Sequence, residues 1–248
     1  MRWIRWLVAV PLVLGAFLVL TLILLNEPLP SARPGQAADD LAREMLQAVN
    51  DSAWRETGAV AWDFGGRHRH LWDRKRHFAR VEWGRITVWL DIHHRTGAAV
   101  DNGNRIYGDR LTKLLEKAFA YWANDSFWLN PVAKVFDRGT QRGLVDLKDG
   151  REGLLITYEQ GGVTPGDSYL WILDENARPT SWKMWVAIIP VGGLQASWTE
   201  WRQYSTGVWL AGSHQISFFT LNLTDIQCGN TLADLIPGED PFSILMGR

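Results

Sequence analysis

Apolar positions run through this chain in three rhythms, and each rhythm predicts a different kind of element. Residues 7–25 (LVAVPLVLGAFLVLTLILL) show no polar alternation, and all 19 are uncharged. At ~1.5 Å of rise per residue such a run reaches about the ~30 Å of a bilayer core, so a transmembrane helix is predicted there. Over residues 39–54 the period is helical: Leu41, Met45, Leu46 and Val49 fall on one face, with Asp39 or Asp40 placed to cap the first turn. One amphipathic helix is expected.

The period then drops to two. Val60, Trp62 and Phe64 alternate with Ala59, Ala61 and Asp63, and Gly65-Gly66 turns the chain into HRHLWDRKRHFARVEW (68–83). In RITVWLDIHH (85–94) alternation puts Ile86, Val88, Leu90 and Ile92 on one face and Trp89 with His93 on the other. Helical spacing returns at Leu111, Leu114, Leu115, Ala118, Phe119 and Trp122, which predicts a second helix over 108–123 ending near Asn124. Strands resume as LLITYEQ (154–160), SYLWILD (168–174), TSWKMWVAII (180–189), SWTEWRQY (197–204), VWLAGSHQISFF (208–219) and a weaker LTDIQC (223–228). Gly, Pro, Asn and Asp clusters separate them, and the short links imply antiparallel pairing.

About eight or more antiparallel strands with two or three helices either close into a barrel or curl around whatever covers the concave face. The helix at 108–123 is the natural cover. The expected class is therefore α+β, mostly β, with one N-terminal membrane helix. The domain plan is a cytoplasmic stub (1–6), a transmembrane anchor (7–25), a Pro- and Ala-rich tether (26–38) and one extracytoplasmic β-rich domain (39–248).

Arg2 and Arg5 precede the apolar run, and Asn26, Glu27, Pro28 and Pro30 follow it, so the positive-inside rule places the domain outside a cytoplasmic membrane. A cleaved signal peptide has a shorter apolar core and a small-residue cleavage site, which NEPLPSARPGQ does not offer. Beyond residue 25 the chain holds 24 basic and 27 acidic residues, and the basic ones are scattered, which argues against nucleic acid as a partner. Cys228 is the only cysteine, so no intramolecular disulfide forms, and it reads as a small buried apolar group.

Catalytic motifs are missing from the local sequence: there is no G-x-S-x-G elbow, phosphate loop or H-E-x-x-H pair. No enzyme activity and no cofactor is predicted. His68, His70 and His77, with His93 and His94, invite a metal reading because residues i and i+2 of a strand share a face. Interleaved Arg67, Arg69, Arg74, Lys75 and Arg76, and the lack of an accompanying carboxylate pattern, favour a solvated basic hairpin, so no metal site is expected. The TPGD run at 164–167 explains itself as a turn.

The runs AWDFGGRHRHLWDRKRHFARVEW (61–83), YWANDSFWLNPVAKVFDRGT (121–140), GGVTPGDSYLW (161–171) and SWKMWVAIIPVGGLQASW (181–198), taken as an ordered set, resemble a family of bacterial envelope proteins related to the periplasmic lipoprotein carriers of the LolA and LolB type. The likeness covers residues 39–220. It implies a curved antiparallel half-barrel with a helical plug and an apolar cavity for acyl chains, and it supplies no catalytic residues. The anchor departs from the soluble carriers and implies a tethered holder.

Fifteen tryptophans, most of them on predicted strands, are the strongest compositional signal. Trp62, Trp83, Trp89, Leu115, Phe119, Trp171, Trp185 and Trp201 are the expected lining of an acyl cavity between the concave sheet and the helix at 108–123. The expected partner is a lipid or acylated protein in the bacterial periplasm. A scaffolding protein with a packed core and an edge-strand or surface partner needs the same residue types.

Overall fold

The computed structural model describes residues 26–160 and 166–247. The predicted stub and membrane span, with Arg2 and Arg5, lie outside the described residues, as do Thr164 and Pro165 of the TPGD turn. Among the described residues no helix is long and apolar enough to cross a membrane.

The chain opens with helices α1 (Gln36–Ala48) and α2 (Asp51–Glu56). The single predicted helix is two because Asn50 sits in the left-handed region at φ 56°, a conformation asparagine tolerates better than most residues. Six strands follow: β1 (Ala59–Phe64), β2 (His68–Asp73), β3 (Phe78–Trp83), β4 (Ile86–Asp91), β5 (Thr96–Asp101) and β6 (Asn104–Arg105). Gly65 and Gly66 both have positive φ, 60° and 69°, a conformation glycine adopts without steric cost, and with Arg67 they make the three-residue loop between Phe64 and its partner His68.

Helix α3 (Gly108–Leu129) then crosses the sheet. It runs past the predicted end at Asn124, and the added residues include Asp125, Phe127 and Trp128. A short 3-10 turn (Val132–Lys134) leads to β7 (Thr140–Asp146), β8 (Glu152–Tyr158), β9 (Ser168–Leu173), β10 (Pro179–Trp185), β11 (Leu194–Ser197), β12 (Thr199–Gln203), β13 (Trp209–Ile216) and β14 (Phe219–Gly229). A C-terminal tail ends in helix α4 (Ser243–Met246).

The 14 strands form one open antiparallel sheet in the order β6-β5-β4-β3-β2-β1-β14-β13-β11-β10-β9-β8-β7, with β12 also on β13. β14 is long enough to serve both halves, pairing β13 through residues 219–222 and β1 through residues 223–229. The sheet curves without closing, and α1, α2 and α3 pack on its concave face, as a half-barrel requires.

Alternation sorts the strands as the sequence implies. On the concave side Leu154, Ile156, Tyr169, Trp171, Trp182 and Met184 join Met45 of α1 and Val132 in the largest apolar cluster. Ala79, Val81, Val88 and Ala99 face Leu111, Leu114, Leu115 and Ala118 of α3 in another. The convex side is covered at both ends. The C-terminal tail buries Phe242 fully against Phe78, and Arg76 holds Asp240 at 2.5 Å.

The N-terminal segment 26–35 covers the other end and is a docked strap. Glu27 N–H donates to Gly192 O at 3.0 Å, Trp185 Nε1–H donates to Glu27 O at 2.8 Å, and Lys183 reaches the Glu27 carboxylate at 2.6 Å. Farther on, Arg33 exchanges both backbone hydrogen bonds with Leu144 at 2.8 and 2.9 Å, which partners part of the otherwise free β7 edge.

Candidate functional site

Where β2 passes beneath the end of α3, three polar side chains meet in the apolar interior. Residues 68 and 70 share the concave face, and the helix delivers Asp125 between them. Asp125 Oδ2 accepts from His68 Nδ1 and from His70 Nε2, each at 2.7 Å, while Asn124 Nδ2 donates to its other oxygen at 2.8 Å. Asp125 and His70 are almost wholly buried. Flanking rings lock the imidazoles, with Trp62 stacked 4.3 Å from His70 and Tyr121 stacked 3.7 Å from His68. Burial pushes the His70 pKa below its ordinary value, against the raising pull of Asp125.

The three donor atoms lie within 4.8 Å of one another, so the residue types suit a divalent cation. The geometry is instead that of a clasp, because one oxygen bridges two ring nitrogens at hydrogen-bond length. What the arrangement does is tie the C-terminal part of α3 to the sheet.

Beyond the clasp the concave space is filled with rings. Trp171 and Trp182 are 0% exposed, Trp198 is 2% exposed, and their mutual centroid distances are 4.8 to 5.2 Å. Phe127 and Trp128 of α3 close over Trp182 at 5.9 and 5.0 Å. His214 completes the group, 4.2 Å from Trp198, with its Nδ1 3.1 Å from Ser197 O.

The expected cavity-lining residues therefore do not share one cavity. Trp62 and Trp171 are buried concave residues, and Trp83 packs edge-on against Tyr121 at 5.3 Å. Leu115 lies between α3 and the sheet, Phe119 beneath Arg95, and Trp201 at the margin of the large cluster with its N–H on Pro179 O. Trp89 and Trp185 belong to the convex side, because odd positions of β4 and β10 face away from α3.

Two clefts among the described residues lie on that convex side. The larger, about 320 Å³, lies between the strap and β7–β10, lined by Pro28, Pro30, Val145, Leu170, Ile172 and Trp185. Lys148, Arg151 and Lys183 stand around it with Asp146 and Asp149. A smaller cleft of about 190 Å³ lies under the C-terminal tail, among Leu71, Arg80, Glu82, Gln227 and Ile236.

No protein-family model and no curated protein matches the sequence. Solved structures similar to it include the following two. One is a DUF1329 family protein from Desulfovibrio piger, 11% identical over 79% of this chain and 93% of that one, with a TM-score of 0.41. The other is a putative outer membrane lipoprotein-sorting protein domain from Vibrio parahaemolyticus, 9% identical over 81% of this chain and 95% of that one, with a TM-score of 0.31. At these TM-scores the likeness says nothing of ligand or mechanism.

Sequence reasoning missed the clasp because Asp125 lies more than fifty residues from its histidines, and the helix was expected to end just before it. It also missed His214, which carries a testable consequence. Burial lowers its pKa from 6.5 to about 4. The unfolded chain therefore binds this proton more readily, and the stabilisation held above pH 6.5 is lost as pH falls toward 4. A gap of that size corresponds to on the order of 3 kcal/mol, and His70 adds loss of the same sign. Urea midpoints of the full chain are expected to fall between pH 7.0 and 4.5, and His214→Phe should shrink the drop. Equal midpoints for the unsubstituted chain at the two pH values would refute the assignment.

Proposed function

We propose that the chain is a membrane-held, non-catalytic binder of an acyl-bearing molecule, a lipid or a lipidated protein, and that the acyl chain lies in the convex groove under the strap. The supporting observation is the groove itself. Its 320 Å³ falls at the lower end of the range for ligand sites, and seven of its thirteen lining residues are apolar, among them Val145, Leu170, Ile172 and Trp185, the other six being charged. The cations beside it are interspersed with carboxylates, as in the pairs Lys183–Glu27 and Arg151–Asp149. Selection therefore rests on the apolar tail more than on head-group charge. Residues 7–25 hold the domain at the membrane, periplasmic side, within reach of lipid.

A second reading has its own observation. The concave interior is occupied by the chain's own tryptophans, as a scaffolding protein with a surface partner requires. The two readings separate on ligand binding. Titration of the full chain in amphipol with a fluorescent fatty acid is expected to saturate at one per chain. Ile172→Asp should weaken binding at least tenfold, because a carboxylate would stand in the apolar lining, while Phe218→Asp on the distant β13–β14 turn should leave it unchanged. No saturable binding by the folded chain, or equal binding by the Ile172 variant, would favour the scaffold.

A further inference from the structure

We propose that the loop 186–191 between β10 and β11 sits in the interfacial layer of the bilayer, with Ile188 at its tip, and thereby sets the orientation of the domain on the membrane. This inference rests on the reading of residues 7–25 as a span.

The loop reads VAIIPV and carries no charge. The sequence suggests that β10 continues to Ile189, because β-branched residues favour strands, yet the strand ends at Trp185. Val186 and Ile189 pack at the edge of the large concave cluster, while Ile188 is 75% exposed. A single exposed isoleucine is ordinary. This one is informative because of where the N-terminal segment meets the fold.

Asn26 and Glu27 are held on the far arm of the same loop. Gly192 N–H donates to Asn26 Oδ1 at 2.8 Å, and Gly192 O accepts from Glu27 N–H at 3.0 Å. The seat is tight: a Cβ at Gly192 would lie 2.4 Å from Trp185 Cδ1 and 2.7 Å from Glu27 O. Residue 25, the last of the uncharged run, is one peptide away from Asn26, about 3.8 Å between Cα atoms. Wherever the outer end of the span meets the membrane surface, this loop is beside it.

An uncharged loop next to an indole and a nearby lysine is suited to the interfacial layer, where apolar tips enter the acyl boundary and amphipathic groups remain at head-group level. Trp185 and Lys183 provide those groups here, and both also line the groove. The docked loop thus brings the groove to the bilayer surface, which gives an acyl chain a short path into it.

The test places an environment-sensitive nitrobenzoxadiazole label at Ile188→Cys in the full chain, reconstituted into phosphatidylcholine–phosphatidylglycerol liposomes with spin-labelled lipid as quencher. Cys228 stays in place, being buried with its thiol pushed up to about 12 by desolvation. Companion labels go at Val13→Cys, inside the apolar run, and at Phe218→Cys, where the side chain is 93% exposed. The expected result is several-fold quenching at 188 and 13 and almost none at 218. Quenching at 13 without quenching at 188 overturns the loop proposal and leaves the span intact, whereas no quenching at 13 removes the span itself. A blue-shifted but unquenched label at 188 also overturns the proposal, because it reports a protein covering the loop.

Discussion

Replacing Asp125 with alanine is expected to destabilise the domain by about 2–5 kcal/mol. The carboxylate is 1% exposed and satisfies two imidazole N–H groups and one amide. Without it the wholly buried His70 Nε2–H has no acceptor, and each orphaned buried donor costs about 1–3 kcal/mol. His68, partly open to solvent, recovers some of its loss through water. Asp125→Asn keeps one acceptor oxygen and should cost clearly less. Urea unfolding of the full chain in mild detergent measures both. Hydrogen exchange should locate the damage, with amides of residues 121–129 losing protection before those of β8 and β9. A loss below about 1 kcal/mol for the alanine variant would mean that the clasp does not hold α3 to the sheet.

Trp182→Ala is expected to cost about 3–5 kcal/mol, the range for deleting a large buried aromatic. Its ring touches Tyr169, Trp171 and Trp198 of the sheet and Phe127 and Trp128 of α3, all with centroids within 5.9 Å. Trp182→Phe should be much milder. The Trp182 indole N–H has no hydrogen-bond acceptor among the described residues, so phenylalanine sacrifices packing area but no hydrogen bond. Thermal and urea unfolding of the two variants check the contrast. A near-neutral alanine variant would mean that the concave face is loosely filled, which would restore it as a ligand site.

The fold was legible where one face of an element meets the core and the other does not. Val88 and Leu90 lie on the concave face and Trp89 opposite them because a period of two cannot be read otherwise. The same argument identified the start of α3 from Leu111 to Phe119. Legibility failed where tertiary packing overrides local pattern. Trp89 and Trp185 were expected between the sheet and α3 and lie on the outer face instead, Trp185 in the groove there, because sequence does not reveal that a C-terminal tail and an N-terminal strap cover that face. β5, with the sequence TGAAVD, has little apolar alternation, yet Gly97 and Ala99 are the small residues over which α3 can lie close to the sheet: a Cβ at Gly97 would be 2.8 Å from Leu115 Cδ2. Asp125 could not be assigned to His68 and His70 from spacing, since only the path of α3 across the sheet brings them together.

The location of the ligand is tested most directly by photocrosslinking. The full chain in lipid nanodiscs would be irradiated with a phospholipid bearing a diazirine on its acyl chain, and the labelled peptides mapped by mass spectrometry. Labelling is expected in residues 145–149, 170–172 and 183–185 around the convex groove, and it should weaken in Ile172→Asp. Labelling concentrated in α3 and on the concave residues of β3–β5 would contradict the account and place the acyl chain beneath the helix.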